Sequence, residues 1–374
     1  MGKSISEIAS QVKDCGKKVQ LIYAFNGTGK TRLSREFKEL IEPKREETES
    51  GETGLSGKKI LYYNAFTEDL FYWDNDLQND VDVRFKIQPN AFTEWVFKEQ
   101  GQERNVINHF QAYTNSTIMP KFNVDYSEVT FSLGRGNEES TQNIKISKGE
   151  ESNFVWSIFY SLLEQVIEVL NIPEEEERET DKFNQLEYIF IDDPVSSLDD
   201  NHLIQMAVHL AQMIKKSKSE LKFVITTHSA IFYNVLYNEL GSRRAYMLIK
   251  NEDGTFDLEN KDGDSNKSFS YHRYLMEMIE KAINENKIEK FHFILLRNLY
   301  EKTANFLGYK NWSDILPLDD RKSYETRIMN FYSHQTLSNE EVRNPSEQEK
   351  QMVKFLFENL IDNARFQKEV ENNV

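Results

Sequence analysis

Two neighbouring carboxylates follow one apolar run of the sequence. Asp192 and Asp193 come directly after residues 186–191, which are rich in β-branched and aromatic types and too few for a buried helix. The run therefore predicts a parallel strand that is buried on both faces. At the carboxyl end of such a strand, Asp192 could ligate Mg²⁺ and Asp193 could polarise a water molecule. For an isolated acidic pair, a strand that merely ends in polar residues is the better interpretation, so other motifs must decide.

A glycine-rich segment near the N-terminus, AFNGTGKT, lies between a predicted strand at 19–23 and a predicted helix that ends near Ile41. This is the setting of a phosphate-binding Walker A loop, whose backbone N–H groups and helix start surround the phosphates. The first position is Ala24 where the motif has glycine, and a small residue suffices there. The residues predicted to bind nucleotide here are Asn26, Gly27, Thr28, Gly29, Lys30 and Thr31, with Thr31 also a magnesium ligand.

Two weaker motifs accompany the Walker A loop. Ser147-x-Gly149-Glu opens an apolar helix predicted at 154–170, where a hydroxyl and backbone amides could face a phosphate, although ordinary N-capping fits equally well. His228 ends a second buried strand, 221–226, and could sense a γ-phosphate by hydrogen bonding. A lone histidine is usually structural.

The order of these motifs resembles that of the ATP-binding-cassette ATPase heads, a fold with a mostly parallel sheet flanked by helices. Nucleotide in that family lies between the Walker A loop of one subunit and the signature of another, so the resemblance implies a homodimer or a larger homo-oligomer. Matched by position, it implies roles for Asp192 (magnesium ligand), Asp193 (catalytic carboxylate), Ser147 and Gly149 (signature), Ser197 and Asp199 (D-loop) and His228 (switch histidine).

Two positions depart from that family's pattern. Lys148 occupies a signature position where glycine is usual, and Asp193 is one methylene shorter than the usual glutamate, which implies slow or tightly gated hydrolysis. Gln78 and Gln88 are both candidates for the Q-loop residue, and neither is preferred.

The composition of the chain indicates a globular protein with room for two domains. It has 374 residues, of which 39% are hydrophobic, and a single cysteine, Cys15, so no internal disulfide can form. No apolar run approaches the roughly 20 residues that span a bilayer, and the N-terminus lacks the apolar core of a secretory signal. We therefore expect a cytoplasmic protein without membrane partners.

The net charge of −16 is unevenly distributed along the chain. Residues 263–374 hold 16 basic and 18 acidic side chains, a balance of −2, so the remaining −14 belongs to residues 1–262. The total charge therefore does not exclude a local phosphate-binding surface. We predict an α/β head over residues 1–262, with mobile loops near 43–58 and 172–182, and a mainly α-helical domain over residues 263–374.

The C-terminal domain contains one pair of side chains at helical spacing. Arg297 and Glu301 are four residues apart and share one helix face, and from spacing alone an exposed ion pair is the favoured interpretation. His334 stands apart from both. Neither composition nor spacing connects these three residues.

The chain resembles the PrrC-type anticodon nucleases over nearly its whole length. The strings that carry this resemblance are LIYAFNGTGKTRLSREFK, KKILYYNAFTEDLFYWDNDLQ, SKGEESNF, FIDDPVSSLDDNHL, GDSNKSFSYH, LLRNLYEKTANFLGY and SHQTLSNE. The resemblance implies a nuclease site at Arg297, Glu301 and His334. It also implies a tRNA-recognition segment at 261–272, with Asp264 as the transferred position and Ser265, Asn266, Lys267, Ser268, Tyr271 and His272 as further candidates.

These residue types suit RNA cleavage without a metal. One of Glu301 and His334 could act as the base that activates the ribose 2′-OH, and the other as the acid that protonates the leaving 5′-oxygen. Arg297 would hold the phosphate. The products would carry a 2′,3′-cyclic phosphate and a 5′-OH. The resemblance further implies tRNA-Lys as substrate, Mg²⁺ with ATP or GTP at the head, dTTP binding, silencing by a type I restriction–modification enzyme and a phage-derived activator. The alternative function is a non-nuclease ATPase that acts on DNA ends or assembles partners.

Overall fold

The computed structural model describes most of the chain in two compact units, Met1–Ser268 and Phe269–Val374. The described residues are 2–43, 57–64, 67, 69–74, 83–114, 117–133, 143–194, 198, 200–241, 243–251, 253–261, 271–318, 321–326 and 345–363. The predicted domain boundary at 262/263 and most of the predicted loop at 43–58 lie outside these residues and stay predictions.

The described strands all belong to the first unit and form two sheets. Their bounds are β1 (Val19–Tyr23), β2 (Ile60–Tyr63), β3 (Phe71–Asp74), β4 (Arg84–Ile87), β5 (Ile118–Phe122), β6 (Glu128–Leu133), β7 (Tyr188–Asp192), β8 (Lys222–Thr227), β9 (Arg243–Lys250) and β10 (Phe256–Asn260). The larger sheet has the order β10-β9-β1-β8-β7-β2, and all its pairs are parallel except β10 with β9. The predicted α/β class with a mostly parallel sheet is confirmed.

The smaller sheet is antiparallel, with the order β3-β4-β6-β5. Of its strands, the sequence pattern predicts only β6, at residues 128–133. Phe71, Tyr72 and Trp73 form an aromatic cluster in the sequence, for which packing is the better interpretation; they lie on β3, and the Trp73 ring centroid is 4.8 Å from that of Phe85 on β4. Packing therefore describes Phe71 and Trp73, whereas Tyr72 is 50% exposed.

Helices cover the larger sheet because each carries an apolar stripe at helical spacing. Val12 from the first helix and Leu33 and Phe37 from the second pack with Ile22 and Phe190 of the sheet in one buried cluster. The helices of this unit are α1 (Ile5–Asp14), α2 (Lys30–Ile41), α3 (Glu103–Thr114), α4 (Lys148–Leu170), α5 (Asp200–Lys216) and α6 (Ala230–Glu239).

Helix α4 is buried along most of its length and packs against both sheets. The Phe154 ring centroid is 5.2 Å from that of Phe131 on β6, and the Trp156 centroid is 5.3 Å from that of Tyr63 on β2. The helix starts at Lys148 rather than near Phe154, because the Ser147 cap adds a polar first turn to the predicted apolar run.

The sequence pattern of residues 92–113 predicts helix, and the structure confirms helix there but divides it into two segments. A short α-helical turn, Ala91–Thr93, runs into a π-helix, Glu94–Glu99, and α3 begins only at Glu103. Gly101 separates the two segments with a φ of 61°, a left-handed conformation that ends a helix.

The described residues of the second unit are helical, as the sequence indicated. Leu296 and Tyr300 of its second helix pack against Ile279 of the first and Val353 of the last in one apolar core. The elements are α7 (Tyr271–Asn284), α8 (Lys290–Phe306), a 3₁₀ helix (Trp312–Ile315) and α9 (Glu347–Asn363). Within the described parts of both units, no helix has the length and apolar character needed to cross a bilayer.

Candidate functional site

The parallel strands β1, β7 and β8 bring the first set of candidate residues to one edge of the larger sheet. Asp192 pairs in register with Thr226, and Tyr23 pairs with Thr227, so all three strands end at the same level. Two backbone hydrogen bonds, from the Ala24 N–H to the Thr227 carbonyl (3.0 Å) and from the Asp193 N–H to the Thr226 carbonyl (2.9 Å), join the segments beyond the strand ends.

The loop between β1 and α2 has the backbone conformation of a phosphate-binding loop. Gly27 and Gly29 have φ values of 79° and 116°, which strongly favour glycine. A Cβ on Gly29 would also lie 3.2 Å from the Phe256 ring. Within the described part of the chain, no side chain caps the start of α2, so its N–H groups can face an anion.

Lys30 is held at this loop by its own neighbours. Its ammonium nitrogen donates to the Ala24 carbonyl (3.1 Å), the Phe25 carbonyl (3.3 Å) and Asn26 Oδ1 (3.3 Å). The residue is 6% exposed, and its charge is paired with Asp193. The structure thus places Lys30 at the loop between β1 and α2, and its contact with a phosphate stays a prediction.

Asp192 is a buried carboxylate with donors on both oxygens. Oδ1 accepts from the Thr226 hydroxyl (2.5 Å) and Oδ2 accepts from the Ser34 hydroxyl (3.1 Å), and the Thr31 hydroxyl is near enough to help lower the pKa of the carboxyl group. Burial raises the pKa of Asp192, and the charge of Asp193 raises it further, while these hydrogen bonds oppose the rise. The carboxylate and the Thr31 hydroxyl are the oxygen donors that Mg²⁺ prefers, so the residues present fit that ion.

We expect Asp192→Asn to raise the melting temperature of the nucleotide-free protein at pH 7. The raised pKa means that the folded state binds the Asp192 proton more tightly, so ionisation above the ordinary value of 3.8 costs stability. Asparagine removes that charge, its Oδ1 can still accept from the Thr226 hydroxyl, and its Nδ2 can donate to Ser34 Oγ with that hydrogen bond reversed. Each 1 kcal/mol of stability gained would raise the melting temperature by roughly 2–4 °C for a unit of this size.

Differential scanning calorimetry at two pH values checks this expectation. The gain should vanish below pH 3.8, where Asp192 is protonated in both the folded and the unfolded state. A lower melting temperature of the variant at pH 7 would show that the charged form is instead stabilising.

Asp193 adopts a conformation that few side chains tolerate. Its φ is 53°, in the left-handed region where aspartate and asparagine are enriched among non-glycine residues. His228 Nδ1 lies 2.7 Å from both carboxylate oxygens, and Lys30 Nζ lies 3.4 Å from Oδ2. Burial alone raises the pKa of Asp193, but the hydrogen bonds of His228 and the charges of Lys30 and His228 outweigh it, so the net pKa lies below its usual range.

The predicted signature residues cap a helix. The Ser147 hydroxyl accepts from the Glu150 N–H (3.3 Å), while Glu150 Oε2 accepts from the Ser147 N–H (2.8 Å), and Gly149 lies in the first turn of α4. Both the capping and the signature interpretation remain compatible with this geometry. Ser197 and Asp199 lie outside the described residues.

Neither Q-loop candidate is placed at the sheet edge. Gln78 lies outside the described residues. Gln88 directly follows β4, and its N–H donates to the Leu70 carbonyl at 2.8 Å in the region of the smaller sheet.

Three polar residues at this site were not predicted from the sequence: Ser34, Tyr62 and Thr226. Ser34 Oγ lies 2.6 Å from the Tyr62 hydroxyl and 3.1 Å from Asp192. Burial raises the pKa of Tyr62, the Ser34 hydrogen bond lowers it, and the Asp192 charge raises it further. No sequence motif indicated Tyr62, which reaches this edge only because β2 pairs beside β7.

The second unit brings Arg297 and Glu301 together on α8. The Arg297 Nε–H donates to Glu301 Oε1 at 2.8 Å, and the side chains are 20% and 35% exposed. The guanidinium carbon also lies 5.6 Å from the ring centroid of Trp312, a contact that no pattern in the sequence predicts. The ion pair thus lies beside an aromatic ring, on which the flat guanidinium of arginine can stack.

The other predicted residues of this unit are not placed at that pair. His334 and the segment Asp264, Ser265, Asn266, Lys267 and Ser268 lie outside the described residues. Tyr271 and His272 begin α7, and only their backbone is described.

Among known proteins, the full chain is similar to the anticodon nuclease of Escherichia coli. The two are 56% identical over 396 residues, and the alignment covers 100% of each chain. No family model matches the sequence.

Several solved structures of Smc head domains share a weaker likeness. The Smc head bound to the C-winged helix domain of ScpA is 12% identical, with 66% of this chain and 90% of that chain covered and a TM-score of 0.34. An Smc head from Pyrococcus furiosus is 12% identical, with 51% and 40% covered and a TM-score of 0.29. Similarity this weak supports no conclusion about the chain, whereas the 56% identity to the full-length relative does.

Proposed function

The chain belongs to the anticodon nuclease family, and on this premise we propose that it is a nucleotide-gated ribonuclease that cuts the anticodon loop of a tRNA. The observation that carries the proposal is the 56% identity over the full length of both chains. A non-nuclease ATPase acting on DNA ends or partners would need only the first unit. It would not explain a similarity that includes the second unit, so we do not favour it.

The first unit is the proposed nucleotide switch, of the ATP-binding-cassette type. The glycines of the loop before α2 let backbone N–H groups approach the phosphates, and Lys30 supplies a charge there. When bound, Mg²⁺ would neutralise phosphate charge at Thr31 and Asp192. Asp193 would orient the attacking water, and His228, whose Nδ1 lies 2.7 Å from Asp193, would fix that carboxylate. We propose ATP or GTP as the nucleotide, with dTTP as a further ligand.

A second copy of the chain would complete the nucleotide site in a homodimer or larger assembly. Ser147 and Gly149 at the start of α4, with Ser197 and Asp199, would face the nucleotide of the other copy. The N-terminus of α4 suits that position because its dipole and N–H groups favour an anion.

The second unit is the proposed nuclease, with Arg297, Glu301 and His334 as its catalytic residues. One of Glu301 and His334 would take the proton of the ribose 2′-OH as its oxygen bonds to phosphorus. The other would give a proton to the 5′-oxygen as the P–O5′ bond breaks, leaving a 2′,3′-cyclic phosphate and a 5′-OH. Arg297, always charged and paired at 2.8 Å with Glu301, would hold the phosphate oxygens without a metal.

Substrate choice and control of the nuclease belong to the same proposal. Asp264, Ser265, Asn266, Lys267, Ser268, Tyr271 and His272 are residue types that can read or hold the unpaired anticodon bases, which we propose to be those of tRNA-Lys. A type I restriction–modification enzyme would keep the protein silent in the cytoplasm until a phage-derived activator releases it.

Incubation of the protein with total tRNA, with and without Mg²⁺–ATP or Mg²⁺–GTP, tests the proposal. We expect discrete tRNA halves, and sequencing of their ends should locate one cut in an anticodon loop with a cyclic phosphate. Intact tRNA under every nucleotide condition, combined with hydrolysis that DNA stimulates, would contradict the proposal and favour the ATPase alternative.

Trp312 is expected to support cleavage through Arg297. Its ring lies 5.6 Å from the guanidinium and is itself held edge-on by Tyr300, with centroids 6.4 Å apart. Trp312→Leu should lower kcat for tRNA cleavage by about 2- to 30-fold, the range of a cation–π contact. Trp312→Tyr, which keeps an aromatic face, should retain most of the activity.

Single-turnover cleavage rates and melting curves of both variants check this expectation. If the leucine and tyrosine variants lose activity equally while both stay folded, the aromatic contact is not what positions Arg297.

A further inference from the structure

Three side chains outside the predicted motifs form a row that ends on Asp192. Asn64 Nδ2 donates to the Tyr62 hydroxyl at 2.9 Å, and the Tyr62 hydroxyl lies 2.6 Å from Ser34 Oγ. The Ser34 hydroxyl in turn donates to Asp192 Oδ2 at 3.1 Å. The row connects Tyr62 on β2, and Asn64 just after that strand, to Ser34 on α2. From Ser34 it continues to Asp192 at the end of β7.

The hydrogen bonds in this row are compatible with one direction, towards the carboxylate. The Asn64 amide donates from Nδ2 to the Tyr62 oxygen, which leaves the Tyr62 proton available for Ser34. Either hydroxyl can donate in the contact between Tyr62 and Ser34, and with Tyr62 as the donor Ser34 keeps its own proton for Asp192. Asp192 is the charged acceptor at the end, and hydrogen bonds to a charged acceptor are the stronger ones.

The row is fixed at both ends by packing and by further hydrogen bonds. Ser34 is 0% exposed and Asn64 is 3% exposed. Asn64 Oδ1 accepts from the Thr67 N–H at 3.2 Å, which sets the orientation of the amide. The Tyr62 ring lies 6.0 Å from the Phe190 ring, centroid to centroid. These contacts hold the Asn64 amide and the Tyr62 ring in place beside Ser34.

We propose that Ser34 and Tyr62 are positioning residues that orient Asp192 for Mg²⁺. The Thr226 hydroxyl already fixes Oδ1 at 2.5 Å, and the row fixes Oδ2, so the plane of the carboxylate is held from both sides. The Ser34 hydroxyl has two acceptors within reach, Asp192 Oδ2 at 3.1 Å and the Thr31 carbonyl at 3.0 Å. The Tyr62 hydroxyl, at 2.6 Å, helps to hold Ser34 Oγ where it can donate to Asp192. The inference rests on the proposed nucleotide-binding function of the first unit.

Binding of Mn²⁺ in place of Mg²⁺, followed by electron paramagnetic resonance, tests the positioning role of Ser34 and Tyr62 without relying on activity. The full chain would be titrated in the presence of a non-hydrolysable ATP analogue. Outer contacts of this kind are worth about 10- to 100-fold in metal affinity. We expect Ser34→Ala to weaken Mn²⁺ binding by about tenfold and Tyr62→Phe by about threefold, within or just below that range. Affinity for the analogue without metal should not change.

Tyr188→Phe is the matched control, since it removes the same hydroxyl at the start of β7, and it should bind Mn²⁺ like the wild type. Wild-type Mn²⁺ affinity in both Ser34→Ala and Tyr62→Phe would overturn the inference while leaving the proposed function intact. A wild-type protein that binds neither the analogue nor Mn²⁺ would overturn the proposed function and the inference together.

Discussion

Replacing Arg297 by alanine is expected to lower the rate of tRNA cleavage by about 10²- to 10³-fold, the usual effect of losing a charged donor to a reacting phosphate or oxyanion. The guanidinium carries a permanent charge, is oriented by Glu301 at 2.8 Å and lies against Trp312. Because the pair belongs to the helical unit, nucleotide hydrolysis by the first unit should continue at its normal rate. Single-turnover tRNA cleavage and phosphate release from the nucleotide, measured on the same preparation, give the rates of cleavage and of hydrolysis.

Arg321→Ala provides the matched control for this variant. Arg321 is another partly buried arginine of the second unit, and its guanidinium lies 3.8 Å from Asp314. The control should cleave tRNA at nearly the wild-type rate. If Arg297→Ala also cleaves normally while folded, Arg297 is a structural residue and the proposed nuclease site is wrong.

Replacing Asp193 by asparagine is expected to lower nucleotide hydrolysis by about 10²- to 10⁴-fold, the usual contribution of an acid–base group. The amide cannot take a proton or attract the Lys30 ammonium, which lies 3.4 Å from Oδ2. Asparagine also tolerates the φ of 53°, so the fold should persist. Nucleotide affinity should stay the same or increase, because Lys30 no longer has Asp193 as a competing partner.

Fluorescence titration with a labelled nucleotide and a phosphate-release assay separate these two effects. Asp257→Asn, the same change at an exposed position on β10, serves as the control and should leave both unchanged. Unaltered hydrolysis by Asp193→Asn would remove Asp193 from the catalytic role.

The convergence of Lys30, Asp192 and His228 could be predicted because it needs only local information. Each follows a short apolar strand, and parallel strands end at a common edge. The contribution of Tyr62 could not be predicted in this way, since it depends on β2 pairing beside β7, with Tyr62 opposite Phe190. No motif in the sequence reveals that pairing.

In the second unit, helical spacing predicted that Arg297 and Glu301 share a face. The contact with Trp312 depends on how the chain turns back after α8, and tertiary packing rather than periodicity decides that turn. The strands β3 and β4 were missed for a related reason, because four residues each are too few for a clear alternating pattern.

Helix α4 has a mechanical consequence. It contains 23 residues and is therefore about 34 Å long, and its interior side chains pack against both sheets of the first unit. A close-packed rod of this kind resists bending and transmits a push along its length. Strain that arises at Ser147 would therefore be carried along α4 to Phe154 and Trp156. The predicted signature residues thus lie at the exposed start of a helix whose next turns belong to the core of the first unit.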